Sequence, residues 1–260
     1  MTEDKRLTEF KRLLDIMDEL REKCPWDREQ TNESLRKLTI EETYELADAI
    51  LENSNDDIKK ELGDLLLHLV FYARIGKEKG AFDIADVLKG INEKLIYRHP
   101  HVFGNVKVNG ATEVIQNWEQ LKMSENEDYK PVLSGVPKSL PAMVKATRIQ
   151  EKVRGVGFDW DVREQIWDKV DEELNELKQE IEKGDRKKTE SEFGDLFFSV
   201  INAARLYDVD PETALERTNR KFIRRFRYLE SETIRKGRSL HDMSLDEMNR
   251  IWEQAKGSAD

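Results

Sequence analysis

Glu172-Glu173-Leu174-Asn175-Glu176 is followed by Glu192-Phe193-Gly194-Asp195-Leu196. The first half of the chain repeats the arrangement as Glu41-Glu42-Thr43-Tyr44-Glu45 and Glu61-Leu62-Gly63-Asp64-Leu65. Internal spacing is identical in the two copies, so their acids superpose at one fixed offset. Carboxylates three or four residues apart project from one side of a helix. Two such helices side by side make a cluster of hard oxygen ligands, a set that suits Mg²⁺ better than zinc or copper. Without a cation, four carboxylates so close together repel one another.

Around these acids the apolar residues keep a helical period. Ile166, Val170, Leu174, Leu177 and Ile181 recur at steps of three or four, as do Phe193, Leu196, Phe197 and Val200. Leu46, Ala49 and Ile50, then Leu62, Leu65, Leu66, Leu69 and Val70, repeat the rhythm in the first half. The breakers Asn53-Ser54-Asn55-Asp56 and Lys183-Gly184-Asp185 are short enough to join antiparallel neighbours. No convincing alternating strand run is present.

The duplication extends beyond the acids. Asn92-Glu93-Lys94-Leu95-Ile96-Tyr97-Arg98 parallels Asn219-Arg220-Lys221-Phe222-Ile223-Arg224-Arg225, and Trp118-Glu119-Gln120 parallels Trp252-Glu253-Gln254. Trp26-Asp27 and Trp160-Asp161 precede the respective acidic helices. Matched blocks in the same order predict an all-α chain built from a duplicated helical domain. The segment holding Pro131, Gly135, Pro137 and Pro141 reads as a linker. Expected boundaries are 1–123, a linker over 124–141, and 142–260.

At about 100° per residue, Glu173 falls beside the stripe of Val170, Leu174 and Leu177, whereas Glu172 points toward solvent. Glu192 and Asp195 take the corresponding flank of the next helix. Glu173, Glu176, Glu192 and Asp195 are therefore expected to converge on a metal, with Glu42, Glu45, Glu61 and Asp64 as a second site in the first copy. A lone acidic motif in so charged a chain is ordinarily a solvated face. The second motif, the duplicated spacing and the flanking apolar stripes favour ligands instead.

Positive charge is distributed unequally. Lys221, Arg224 and Arg225 reach one side of a later helix, with Arg220 and Arg227 nearby, whereas the first copy has Glu93 and Tyr97 in place of Arg220 and Arg224. Lys187 and Lys188 stand opposite Asp56 and Asp57 of the first copy. Arginine forks and lysine point charges both match phosphate oxygens, so the second half is the better equipped for a triphosphate. Trp118 and Trp252 either stack on a base or pack a helix end. His68, within an apolar run, reads as a satisfied core or interface histidine. His99 and His101 are weak candidates for metal. Neither a Gly-rich phosphate loop nor a nucleophilic triad can be assembled.

The chain has 260 residues, of which 38% are charged, and a net charge of −10. That balance argues against a nucleic-acid-binding surface. A single cysteine, Cys24, excludes an intramolecular disulfide. No apolar run approaches the roughly 20 residues that span a bilayer, and the first residues lack the apolar stretch of a signal peptide. The expectation is a cytoplasmic protein without a membrane partner.

With CPWDREQTNESL (24–35), EETYEL (41–46), ELGDLLLHLVFYARI (61–75), RHPHVFG (98–104), SGVPKSLPAM (134–143), VGFDWD (156–161), EELNEL (172–177) and EFGDLFFSVINAARL (192–206), the chain resembles the MazG family of nucleoside triphosphate pyrophosphohydrolases over nearly its full length. The resemblance implies tandem MazG domains, homodimers forming four-helix-bundle-like units, and Mg²⁺-dependent cleavage of triphosphates to monophosphate and pyrophosphate. Mn²⁺ is an expected substitute. It also implies that the C-terminal domain carries the main activity. Carried over residue by residue, the metal ligands are Glu173, Glu176, Glu192 and Asp195. Nucleotide contacts are Lys169, Val170, Asp171 and Glu172; Lys188, Thr189, Glu190 and Ser191; Lys221, Phe222, Ile223, Arg224 and Arg225; and Trp252.

The expected mechanism is metal-assisted hydrolysis. Lys221 and Arg225 neutralise phosphate, and Glu172 or Glu176 accepts the proton of the attacking water. Two alternatives stand beside it: a narrower dUTP/dCTP-type pyrophosphatase, and a helical module that binds metal or nucleotide without turnover. Phe71, Tyr72, Phe197 and Phe198 are candidate aromatics for a dimer surface.

Overall fold

A computed structural model describes residues 4–110 and 131–258, together with 113–114, 117–118 and 121. The chain forms two compact units, Met1–Val108 and Asn109–Asp260. Among the described residues the regular structure is helical throughout, with no strand. Of the expected linker, residues 124–130 lie outside the described residues, Val132–Gly135 forms a single 3-10 turn, and a helix begins at Ala142.

In the first unit the helices are α1 (Lys5–Lys23), α2 (Pro25–Glu29), α3 (Asn32–Leu51), α4 (Asn55–Glu78), α5 (Ile84–Arg98) and α6 (Pro100–Phe103). Thr31 caps α3 through a reciprocal capping box with Ser34, and Ser54 caps α4 by accepting from the Asp57 amide. Met17, Leu35, Val70, Phe71 and Ile75 form the core where α1 and α3 pack on α4. Arg21 fastens α1 to α4. Its Nε and Nη2 donate to Glu78 at 2.9 and 2.6 Å, its Nη1 donates to the Asp27 and Gln30 carbonyls, and its guanidinium lies 5.4 Å from the Phe71 ring centroid. These bonds also tie down the α2 turn.

The second unit contains α7 (Ala142–Arg154), α8 (Ile166–Lys183), α9 (Arg186–Leu206), α10 (Pro211–Arg235) and α11 (Leu245–Ser258). α8 and α9 form an antiparallel hairpin, α7 packs on α9, and α10 packs on α11. Ile166, Leu177, Ile201 and Ala203 are buried in the first group, and Leu229, Thr233, Ile251 and Ala255 in the second.

Both acidic hairpins turn at a left-handed residue in the same aligned place, Asn53 at φ 54° and Gly184 at φ 72°. The Asn53 amide bonds the Ile50 carbonyl and the Gly184 amide bonds the Ile181 carbonyl, each at 3.1 Å. The next residue then caps the second helix, as Ser54 in one unit and Asp185 in the other.

Two expectations are corrected. Phe71 is buried in the core and not on a dimer surface, because it packs with Ile75 beneath Arg21. Tyr72 is half-buried, with its hydroxyl 2.8 Å from Thr39 Oγ1. His68 is buried as expected, yet its Nδ1 has no hydrogen-bond partner among the described residues, which departs from a satisfied core histidine and leaves the interface alternative. Apolar rhythm and burial also part company. Leu62, Leu66, Leu69, Phe193, Phe197 and Val200 keep the helical period but stand exposed in their own units.

Candidate active site

Glu173 is seven residues from Ile166 and four from Leu177, so the winding of α8 puts all three on its buried face. Only 7% of Glu173 is exposed. The α8–α9 hairpin brings Glu192 opposite. Ligand oxygens of Glu173, Glu176 and Glu192 all lie within 4.8 Å of one another. Asp195 follows one turn along α9, outside that triple, and lines an adjacent cavity together with Glu173. Glu172 turns outward, as helical geometry requires, with more than half of its side chain exposed.

Like charges leave their mark on this cluster. Burial, followed by the charges of Glu176, Asp195, Glu173 and Glu180, holds the Glu192 carboxyl above the usual carboxylate range. Lys169 supplies the local counter-charge, its Nζ lying 2.8 Å from Glu173 and 3.1 Å from Glu172. Those hydrogen bonds, to Glu173 first and then Glu172, hold the ammonium above its ordinary value.

The first unit assembles the equivalent triple, Glu42, Glu45 and Glu61, within the same 4.8 Å limit. Asp64 again stands outside it, 3.9 Å from Lys60. Burial, then the charges of Asp64, Glu45 and Glu61, raises the Glu42 carboxyl. Here the counter-charge comes from the other helix of the hairpin, with Lys60 2.8 Å from Glu61. Glu61 Oε2 is buried without a hydrogen-bond partner. Hard oxygens at these separations, one of them orphaned, fit a small divalent cation.

Lys187 and Lys188 occupy the first turn of α9, their amides donating to Asp185 Oδ1 at 3.1 and 3.2 Å. Cations at a helix N-terminus work against the helix dipole, whereas an anion there is favoured. Asp56 and Asp57 occupy the matching turn of α4, the arrangement that stabilises a helix on its own. Thr189, Glu190 and Ser191 continue the second turn of α9, with Thr189 Oγ1 donating to the Asp185 carbonyl. Val170 is half-buried and Asp171 exposed on α8. Lys221, Ile223, Arg224 and Arg225 stand on α10, where Phe222 meets Trp252 of α11 with ring centroids 4.9 Å apart. The structure thus joins Lys169 to the acids, and Trp252 to the basic helix.

Sequence reasoning missed the cavity itself, about 540 Å³ in volume, with Glu173, Asp195 and Lys169 among its lining residues. Its walls come from α7, α9 and the segment Gly157–Trp160. The VGFDWD motif was visible, but nothing in its spacing connects it to the acids.

A model of the MazG nucleotide pyrophosphohydrolase domain matches residues 30–103 and again 163–229, one match on each acidic hairpin. The chain belongs to the MazG family. It is similar to the nucleoside triphosphate pyrophosphohydrolase/pyrophosphatase MazG of Thermotoga maritima, 45% identical over 251 residues that cover 95% of this chain and 96% of that protein. The nucleoside triphosphate pyrophosphohydrolase of Escherichia coli K12 is 41% identical over 257 residues, 96% of this chain and 98% of that protein. An uncharacterized Bacillus subtilis protein, YabN, is 46% identical over 252 residues but extends well beyond the match, which covers 52% of its length. MazG membership makes this chain a nucleotide pyrophosphohydrolase with tandem all-α domains. No helix among the described residues is long and apolar enough to cross a membrane.

Proposed function

We propose that the second half hydrolyses nucleoside triphosphates, ribo- and deoxyribo- alike, to monophosphate and pyrophosphate with Mg²⁺, for which Mn²⁺ substitutes. The observation that carries this reading is the convergence of Glu173, Glu176 and Glu192 at the edge of a cavity. These three, with Asp195 beside them, would hold the cation. When bound, it supplies Lewis-acid stabilisation of phosphate charge and a more acidic water.

Residues of the chain do the rest. Lys187 and Lys188 at the α9 N-terminus, with Lys221 and Arg225 on α10, neutralise the phosphates. In this reading Glu172, paired with Lys169 outside the triple, or Glu176 accepts a proton from the attacking water. Water adds at phosphorus, the bridging P–O bond breaks, and pyrophosphate departs. Removal of non-standard nucleotides from the cellular pool is the role this broad specificity suits. We also assign the exposed apolar stripes of α4 and α9 to contact between two copies, since Leu69 and Phe197 are each more than half exposed.

Product analysis tests the reaction, using each common triphosphate with Mg²⁺ and comparing wild type, Glu45→Ala and Glu176→Ala. Monophosphate plus pyrophosphate, lost in Glu176→Ala and retained in Glu45→Ala, is the expected result. Release of orthophosphate and diphosphate would overturn the reading, and absence of turnover would favour a binding module.

A further inference from the structure

α7 is fixed to its neighbour before it ends. Gln150, 3% exposed, donates through Nε2 to the Phe198 carbonyl of α9 at 2.9 Å. The helix then closes in two crossed hydrogen bonds, Phe158 N to the Val153 carbonyl at 3.0 Å and Gly157 N to the Arg154 carbonyl at 2.9 Å, with Gly157 at φ 87°. Such a left-handed end turns the chain sharply. Downstream the chain is fixed again. The Arg163 guanidinium lies 4.9 Å from the Tyr207 ring centroid, and Trp167 Nε1 donates to the Tyr207 hydroxyl at 3.0 Å. Residues 158–162 span the gap as an irregular strap, and Phe158, Asp159 and Trp160 form part of the cavity wall.

The strap is poorly buried for its composition. Phe158 is 79% exposed, and Trp160 and Val162 are exposed as well, so apolar burial contributes little to holding it. One side chain ties it to another helix. Arg205 of α9 donates to Asp159, Nη2 to Oδ1 at 2.5 Å and Nη1 to Oδ2 at 3.1 Å. Asn202 Oδ1 in turn accepts from Arg205 Nε and Nη2 at 3.0 and 2.7 Å, fixing the fork. Planar bidentate pairing of this kind sets orientation as well as energy. Little of either side chain is exposed, 8% of Arg205 and 20% of Asp159. Among the described residues, no other hydrogen bond joins residues 158–162 to α9 or α10.

The first unit closes the matching gap differently. Trp26-Asp27 corresponds to Trp160-Asp161, yet that segment is the short helix α2, and Arg21 of α1 donates through Nη1 to the backbone carbonyls of Asp27 and Gln30. Arg74, aligned with Arg205 at the repeat's fixed offset, pairs with Asp18 and Glu78 and not with that segment. A helical turn tied through its backbone is rigid. An irregular strap tied through one carboxylate moves when that single pair opens.

We propose that residues 158–162 form a hinged lid on the cavity beside the acids, pivoting at Gly157 and latched by the Asp159–Arg205 pair. Release of the pair opens the cavity to substrate, and re-forming it seats the strap and shuts water out. Asp159 and Arg205 are thus positioning residues, acting through the strap they hold. The assignment rests on the hydrolase reading above and adds a moving part to it.

The test is hydrogen exchange at the amides of residues 158–162, read by mass spectrometry in wild type, Asp159→Asn and Arg205→Lys. Circular dichroism registers the folding of each variant. Without ligand, strap exchange in Asp159→Asn is expected to be about tenfold faster than in wild type. Arg205→Lys keeps the charge without the fork and falls between the two. Amides of α8 and α9 around Glu173 and Ile201 keep their wild-type rates. Mg²⁺ with the non-hydrolysable α,β-imido analogue of ATP, its binding verified by calorimetry, slows strap exchange in wild type. In steady state Asp159→Asn raises KM about tenfold and leaves kcat within about twofold. Strap exchange unchanged in both folded variants, or unaltered by the bound analogue, overturns the lid. Faster exchange spread equally over α8 and α9 overturns it too, since the pair would then hold the fold and not the strap. So does a loss of kcat at unchanged KM, which would place the pair in the chemical step. Wild-type protein that hydrolyses no triphosphate overturns the hydrolase reading instead, and leaves the ligand-free comparison intact.

Discussion

Lys169 Nζ lies 2.8 Å from Glu173 Oε1, one helical turn away on α8, so the most buried acid of the cluster carries its counter-charge on its own helix. Removing that ammonium leaves Glu173 beside Glu176 and Glu192 with no other ion-pair partner among the described residues. Lys169→Met is expected to lower stability by about 1–2 kcal/mol in EDTA, a modest figure because the lysine is partly solvated. Added MgCl₂ then raises the melting temperature of the variant more than that of wild type. Calorimetry in EDTA and in MgCl₂ checks both halves of this expectation, and equal melting temperatures in EDTA would show that the pair contributes nothing.

Glu61 is the corresponding test in the first unit. Among the described residues its Oε2 is buried and unpartnered, and its Oε1 is paired with the well-exposed Lys60. Glu61→Gln removes repulsion with Glu42 and Glu45, so the variant is expected to melt above wild type without divalent ions. With Mg²⁺ at a hundred times its Kd, a bound ion stabilises the wild type by about 2.7 kcal/mol, and the order reverses. A variant that ranks the same way in both buffers would mean this half holds no ion.

Acid stability should report on Glu78. Hydrogen bonding from Arg21, opposed by burial and reinforced by the charges of Arg21 and Arg74, holds its carboxyl below the unfolded value of 4.5. A depressed carboxylate stabilises the fold above that value, and the contribution is lost as pH falls through the folded pKa. Glu78→Gln is therefore expected to cost about 2–3 kcal/mol at pH 7. The gap from wild type should narrow progressively below pH 4.5. Urea titrations from pH 7 to pH 3 follow it, and a gap that widened with acid would reverse the sign of the argument.

The hairpin turns give a backbone prediction. A Cβ on Gly184 meets nothing within 4 Å, so Gly184→Ala tests left-handed strain alone. It should cost about 1 kcal/mol, or a few degrees in melting temperature. Asn53→Gly, at the matching turn, should stay within a few tenths of a kcal/mol of wild type, because asparagine already tolerates φ of 54°. Thermal melts of the two variants compare the turns directly.

Much of the acid site was legible because a helix converts sequence spacing directly into direction. Glu173 inward and Glu172 outward follow from 100° per residue, and both dispositions are observed. Asp195 shows the limit of this reasoning. The same spacing suggested a fourth converging ligand, yet the close oxygen triple is Glu173, Glu176 and Glu192, and Asp195 lines the adjacent cavity with Glu173. Val70 and Phe197 fit equally regular apolar patterns, but one is buried and the other faces outward. Periodicity identifies a helix face without saying which neighbour covers it.

By itself the sequence determined the all-α duplicated architecture, the paired acidic hairpins and the basic bias of the second half, because each is set by spacing along a helix or by composition. Tertiary structure alone decided that Arg205 meets Asp159 across 46 residues, that Gln150 lies beside Phe198, and that a cavity opens next to the acids in the second unit. Those contacts depend on how helices cross and which loop folds back over them. They are long-range packing geometry, which no local period encodes.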